Sequence, residues 1–369
     1  MKSHQLALLN SGLTVLLILF LAIGAWNSYS LQLALSPSSQ PAPQAQVKAP
    51  IPQVKTIVLT TDCTSCFDMN KAVSALSQFG VNVTDKSQLA VTSPEGKALV
   101  QKYGITKAPT LLILGDTKTL ENSPLAKVLR TSSDSKVFEP TTPPYVDIMT
   151  SKTVGLVDAI ILQDNSCKEC RNLSNAIRQL QQTGIVFTSE RSIDSASDEG
   201  KRLITDYNIE QVPTVLLSND ALQYSIVRDA WNASGTIETN GRLVLRQVPP
   251  PFIDVKTGKT VGLVTATILK DSTCTSCLNT SVFKEVLDSA LGVYVSQQKV
   301  FDVSSSEGKT LLATYNITLV PTVILNSEAS VYQGMSQAWP QVGTKEKDGS
   351  YVWRDISVLK LGYKNLSDN

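Results

Sequence analysis

The six cysteines are the residues of this sequence best suited to chemistry. They form three Cys-x-x-Cys pairs, and no cysteine lies outside a pair: Cys63 and Cys66, Cys167 and Cys170, Cys274 and Cys277. A disulfide framework that stabilises a small fold places its cysteines far apart, because closing a short loop removes little entropy from the unfolded chain. The spacing therefore indicates thiol–disulfide exchange or a metal knuckle.

The pairs belong to a threefold repeat whose first cysteines are 104 and 107 residues apart. A Glu-Gly-Lys lies 32 or 33 residues after each first cysteine, at residues 95–97, 199–201 and 307–309. A Pro-Thr lies 46 or 47 residues after it, at residues 109–110, 213–214 and 321–322. A period of this length is that of a domain, so each repeat can have its own core.

The first repeat illustrates the elements that must position the cysteines. Its patterns predict, in order, a strand over 56–60, a helix ending at Gly80, a strand over 81–83, a helix over 94–103 and a strand over 110–114. This alternation predicts an α/β sandwich with a mixed or parallel sheet.

The start of the first helix decides the electrostatics of the pair. Asp62, Ser166 and Thr273 directly precede the first cysteines, and all three residue types are favoured helix N-caps. We therefore expect the first cysteine to open the helix, where the macrodipole lowers a thiol pKa, and the second to be buried one turn later.

Combined with the Cys-x-x-Cys, the segment from Tyr103 to Leu112 (Tyr-Gly-Ile-x-x-x-Pro-Thr-Leu-Leu) resembles the thioredoxin superfamily. The segments 207–216 and 315–324 repeat it with Asn in place of Gly. The resemblance covers nearly all of residues 54–369 and implies three tandem thioredoxin-like α/β sandwich domains. It further implies that each first cysteine attacks a substrate disulfide and each second cysteine resolves the mixed disulfide. It assigns cis peptide bonds and binding of the substrate backbone to the residue pairs Ala108–Pro109, Val212–Pro213 and Val320–Pro321.

The sequence also departs from that family. The residues between the cysteines are Thr-Ser, Lys-Glu and Thr-Ser, no Trp precedes a first cysteine, and the preceding strand offers no acidic residue to act as the buried proton acceptor of thioredoxin. The rival interpretation is a binding or scaffold protein with three permanent local disulfides. A metal site is disfavoured, because each pair supplies two ligands and the only histidine is His4. We expect no metal and no cofactor.

An apolar segment precedes the repeats. Residues 6–26 carry no charge and could span a bilayer as 21 helical residues. Residues 1–27 are therefore expected to be a cytoplasmic tip and a transmembrane anchor, with everything after them outside the cytoplasm. A cleaved signal peptide is the alternative. Residues 28–53, rich in Pro, Ser and Gln, are expected to form an extended linker.

The predicted domains span residues 54–150, 151–257 and 258–369. The Pro-Pro-aromatic stretches at 143–145 and 250–252 are interpreted as stiff linkers, and the third repeat has no such exit. The net charge of +1 and the absence of a basic run argue against a nucleic-acid partner. The expected partners are protein thiols and disulfides. The sequence is also compatible with a membrane redox partner that restores the oxidation state of the cysteines.

Overall fold

The apolar run before each Cys pair forms the central part of a five-stranded sheet. The computed structural model describes residues 51–367, which form three such sheets, one in each repeat. We call the three repeated structures the first, second and third units.

The elements of the first unit are strands and α-helices in the predicted alternation. They are β1 (Gln53–Thr60), α1 (Met69–Ala75), β2 (Asn82–Ala90), α2 (Pro94–Tyr103), β3 (Lys107–Ala108), β4 (Thr110–Gly115), α3 (Lys118–Glu121), β5 (Arg130–Ser132), β6 (Ser135–Phe138), β7 (Tyr145–Asp147) and β8 (Lys152–Val154).

The second unit repeats this order element by element. Its elements are β9 (Leu156–Gln163), α4 (Ser174–Gln182), β10 (Val186–Asp194), α5 (Asp198–Asp206), β11 (Gln211–Val212), β12 (Thr214–Leu217), α6 (Ser225–Ala230), β13 (Gly235–Ile237), β14 (Leu243–Leu245), β15 (Phe252–Asp254) and β16 (Lys259–Val261).

The third unit has the same order up to its final strand. Its elements are β17 (Val264–Lys270), α7 (Ser281–Leu291), β18 (Val295–Asp302), α8 (Ser306–Tyr315), β19 (Leu319–Val320), β20 (Thr322–Leu325), α9 (Gln333–Gln337), β21 (Gly343–Lys345), β22 (Tyr351–Trp353) and β23 (Lys364–Asn365).

The three large sheets have one topology. In the first, the strand order is β2-β1-β4-β6-β5, with β1 parallel to β2 and the other neighbours antiparallel. Apolar side chains of β1 alternate between two clusters: Val58 packs with Met69 and Val73 of α1, whereas Leu59 packs with Tyr103 of α2. Helices therefore cover both faces of the sheet, as the predicted α/β sandwich requires.

At the start of the second helix, close packing leaves no space for a side chain on the glycine of each Glu-Gly-Lys. A Cβ on Gly96, Gly200 or Gly308 would lie 1.9–2.1 Å from the last carbonyl oxygen of the preceding strand, β2, β10 or β18. A serine three residues earlier accepts a hydrogen bond from the glycine N–H, at 2.9 Å for Ser93. The motif therefore marks the close contact between this strand and the helix that follows it.

The expectation that the Pro-Pro stretches are linkers is wrong. The strand after each stretch pairs with the short strand that precedes the proline of the Pro-Thr motif: Val146 faces Ala108, and Ile253 faces Val212. The hairpins β7–β8 and β15–β16 thus extend the units they follow, and the predicted boundaries at 150/151 and 257/258 lie in their turns. The third repeat also has this strand, since Lys364 faces Val320.

The N-terminal predictions lie outside the described residues. Within residues 51–367, no helix is both long enough and apolar enough to cross a bilayer. The predicted anchor (1–27) and most of the predicted linker (28–53) precede this range and remain predictions.

Candidate functional site

All three cysteine pairs are disulfides at equivalent positions, in the loop between the first strand and the first helix of each unit. Their Cα atoms are 5.4–5.5 Å apart. Each of the six cysteines is half-buried, so the expectation of a buried second cysteine is wrong.

The first helix starts later than predicted. It begins at Met69, Ser174 or Ser281, three or four residues after the second cysteine, so no cysteine opens a helix. The side chains of Asp68, Asn172 and Asn279 accept hydrogen bonds from the backbone N–H two residues on, at 2.9–3.0 Å. Because the dipole effect falls off within the first turn, its support for a thiolate at the first cysteine is weaker than the sequence indicated.

Competing hydrogen bonds explain the late start of the first helix in the second and third units. The predicted caps Ser166 and Thr273 use their hydroxyls as donors to the carboxylates of Asp164 and Asp271, at 2.5 and 2.6 Å. The same carboxylates accept the backbone N–H of Ser166 and Thr273, both at 2.8 Å. A Ser–Asp or Thr–Asp turn therefore precedes each of these disulfides where a helix start was expected.

The prolines of the three Pro-Thr motifs follow cis peptide bonds, after Ala108, Val212 and Val320. Each of these preceding residues is at most 1% exposed. In the third unit the sulfur of Cys277 lies 3.9 Å from the carbonyl oxygen of Val320. A cavity of about 260 Å³ is lined there by Cys274, Cys277 and Pro321, among others. Among the described residues, no comparable sulfur contact joins Cys63 or Cys66 to Ala108, or Cys167 or Cys170 to Val212.

Sequence reasoning missed a second segment beside the second and third disulfides. The carbonyl of Pro251 accepts the N–H of Arg171, the residue after Cys170, at 3.1 Å. The carbonyl of Gly362 likewise accepts the N–H of Leu278, the residue after Cys277, at 2.7 Å. Leu361-Gly362-Tyr363 therefore takes the place of Pro-Pro-aromatic in the third unit, and without prolines it gave no sequence signal.

An acidic residue beside the third disulfide was also missed. Asp271 follows β17 and is buried at 8% exposure, with its carboxylate 2.7 Å from the Lys364 ammonium on β23. The hydrogen bond from Lys364, followed by those from Thr273, holds the pKa of Asp271 below its ordinary value of 3.8. Asp271 lies directly after the strand rather than within it, where an acidic residue was expected to be visible.

Within residues 51–367, no group of three or more His, Cys, Asp or Glu residues is placed to hold a metal ion.

The shared topology, the Cys-x-x-Cys loop and the cis-proline loop make the three units thioredoxin-like. Neither family models nor curated proteins give a match to this chain. Solved structures similar to it include full-length ERdj5, at 12% identity over 79% of this chain and 42% of that one, with a TM-score of 0.16. The chain thus spans about two fifths of the length of ERdj5.

Two further structures cover other shares of the chain. The NTD_N/C domain of alkylhydroperoxide reductase AhpF from Enterococcus faecalis is 16% identical over 45% of this chain and 82% of that one, with a TM-score of 0.14. Human ERp44 in a zinc-bound form is 11% identical over 74% of this chain and 78% of that one, with a TM-score of 0.13.

Proposed function

We propose that this protein is an extracytoplasmic thiol–disulfide oxidoreductase that acts on protein disulfides through its Cys-x-x-Cys pairs. The observation that carries the proposal is the position of the third pair, where Cys274 and Cys277 share an open cavity with Pro321. A half-buried disulfide that lines a cavity beside the cis-proline loop leaves space for another sulfur to approach.

The proposed roles of the cysteines are those that the thioredoxin resemblance implies. The thiolate of Cys63, Cys167 or Cys274 attacks a substrate disulfide, forms a mixed disulfide and releases one substrate thiolate. The partner cysteine, Cys66, Cys170 or Cys277, then attacks the mixed disulfide, closes the intramolecular disulfide and releases the second substrate sulfur. The reverse sequence transfers a disulfide to a substrate dithiol. The residues Ala108, Pro109, Val212, Pro213, Val320 and Pro321 are proposed to bind the substrate backbone.

Three variants that each retain one pair, with serine at the other four cysteines, test the proposal. The measurement is thiol trapping with mass readout in defined redox buffers, together with reduction of a disulfide-bonded peptide. We expect at least one pair to have a potential between about −120 and −270 mV and to turn the peptide over. The variant with six serines is the control and should be inactive.

A binding or scaffold protein with structural disulfides is the second candidate. The late start of α1, α4 and α7 favours it, because no helix N-terminus stabilises the first thiolate. Potentials below about −300 mV at all three pairs would establish structural disulfides. In that case the variant with six serines should lose stability and keep its binding partner.

The location of the units outside the cytoplasm is a separate part of the proposal and rests on the apolar residues 6–26. Protease digestion of sealed, right-side-out vesicles should degrade the three units and leave a membrane-bound N-terminal fragment. Protection of the units would overturn the proposed orientation. A mature protein lacking these residues would instead indicate a signal peptide.

A further inference from the structure

The loop that holds the second disulfide reaches beyond its own unit. The Arg171 side chain donates from Nε to the Pro250 carbonyl at 2.9 Å and from Nη2 to the Gly292 carbonyl of the third unit at 3.4 Å. Its guanidinium also lies 5.8 Å from the centre of the Tyr294 ring. The residue after Cys170 is thus bonded both to the Pro-Pro segment and to the third unit.

A second contact joins Glu169, the residue before Cys170, to the third unit. The hydroxyl of Tyr294, in the loop between α7 and β18, donates a hydrogen bond to the Glu169 carboxylate. This bond, followed by desolvation, raises the pKa of Tyr294. The Glu169 carboxylate is therefore bonded to the next unit although it lies between the two cysteines.

Two hydrogen bonds join the third unit to the segment that precedes it. Gly262, which joins β16 to β17, donates its N–H to Glu328 at 2.7 Å and accepts the Tyr332 hydroxyl at 2.6 Å. Burial raises the pKa of Tyr332 to about 12, so this hydroxyl keeps its proton at physiological pH. The connection at Gly262 is therefore bonded to the third unit, whose Tyr294 lies beside the second disulfide.

The other two disulfides lack this arrangement. Their residues equivalent to Glu169 are Ser65 and Ser276, and those equivalent to Arg171 are Phe67 and Leu278. None of these four side chains carries a charge, so the first and third sites cannot be bonded in the same way.

We propose that Tyr294 is a positioning residue for the second redox pair, and that the third unit sets the redox potential of Cys167–Cys170 through the Tyr294–Glu169 hydrogen bond. The inference rests on the proposed redox function of this pair. An external dithiol supplies two electrons and two protons, the Cys167–Cys170 bond breaks to give two thiols, and the dithiol becomes a disulfide. Loss of a proton from Cys167 then gives the nucleophile.

The direction of the effect follows from charge. A thiolate at Cys167 is disfavoured by the neighbouring Glu169 carboxylate, and the Tyr294 hydroxyl withdraws part of that negative charge. Removing the hydroxyl should disfavour the reduced form and lower the potential of the second pair.

A double-mutant cycle in the full chain tests the inference. We expect Tyr294→Phe, which keeps the ring under Arg171, to shift the dithiol–disulfide equilibrium of Cys167–Cys170 about threefold towards the disulfide, or about 14 mV at 30 mV per tenfold. In the Glu169→Gln background the same change should have no effect, because Tyr294 acts through this carboxylate. The potentials of Cys63–Cys66 and Cys274–Cys277 in the same molecules are internal controls and should not move.

Two outcomes would overturn the inference: an unchanged potential in Tyr294→Phe, or an equal shift with and without Glu169. The potentials are read in dithiothreitol buffers, which reduce even very stable disulfides. A redox potential of Cys167–Cys170 below about −300 mV would therefore count against the proposed function. The double-mutant cycle would still report whether Tyr294 acts through Glu169.

Discussion

A single methyl group at Gly362 should disturb the third disulfide. An ideal Cβ on this residue would lie 1.8 Å from the carbonyl oxygen of Ser276 and 3.4 Å from the Cα of Cys277, whereas ordinary contacts start near 3.4 Å. The backbone of Gly362 is not in the left-handed region, so the cost of Gly362→Ala comes from the clash. Either the Cys loop or the segment that leads into β23 must move.

The size of the effect can be estimated from overpacking. Inserting a methyl group into a well-packed site costs about 1–3 kcal/mol. At about 4–8 °C per kcal/mol, the third unit should unfold roughly 10 °C lower. If reduction lets the loop relax, strain held in the oxidised form should raise the potential of Cys274–Cys277 by about 20–60 mV.

Thermal unfolding with hydrogen-exchange readout and redox titration with mass readout measure the two effects in one sample. Gly349→Ala is the matched control, since Gly349 has a φ of +86° in the same unit and a new Cβ would meet only Ser327. This control should lower stability and leave the potential alone. An unchanged potential in Gly362→Ala together with unchanged stability would refute the reasoning.

Three further changes should have measurable effects. Thr322→Val removes the buried hydroxyl that donates to the Trp353 carbonyl at 2.6 Å, and it should lower the unfolding free energy of the third unit by about 1–3 kcal/mol in urea titrations, with Thr322→Ser closer to wild type. Because the pKa of Asp271 is lowered from 3.8 by Lys364, its stabilisation is present above pH 3.8 and is lost as the pH falls through the lower folded value. Asp271→Asn should therefore reduce the difference between urea midpoints measured at pH 6 and pH 3. Gly262→Ala places a Cβ 2.5 Å from a proline ring at a φ of +89°, and should speed hydrogen exchange over residues 259–264.

The sequence predicts the core of each unit because that information is local. The helix Pro94–Tyr103 has its predicted bounds, since Pro at its start and Gly104 at its end act over single turns. The strand that begins at Thr110 also has its predicted start. Trp231 and Trp339 are core residues, at 8% and 1% exposure.

The surroundings of the disulfides could not be predicted, because they depend on competition and on distant pairing. In the second unit the Asp164 carboxylate binds the hydroxyl of Ser166, the predicted cap, and the helix starts only at Ser174. The pairing of Lys364 with Val320 joins residues 44 apart and has no local signal.

The three disulfides lie at equivalent positions, so differences in their chemistry must come from the side chains around them, and the residue that follows the second cysteine is one of these. Phe67 is 44% exposed and has an edge contact with Phe138, so the first site has an apolar neighbour at the surface. Arg171 joins the second site to the third unit through the Gly292 carbonyl. Leu278 is buried at 8% exposure under the Gly362 segment, so the third site is supported from within its own unit. A repeat that copied one catalytic site three times would have kept this residue constant, whereas here its polarity, exposure and partners all change. The sites are therefore expected to differ in potential although they share one fold.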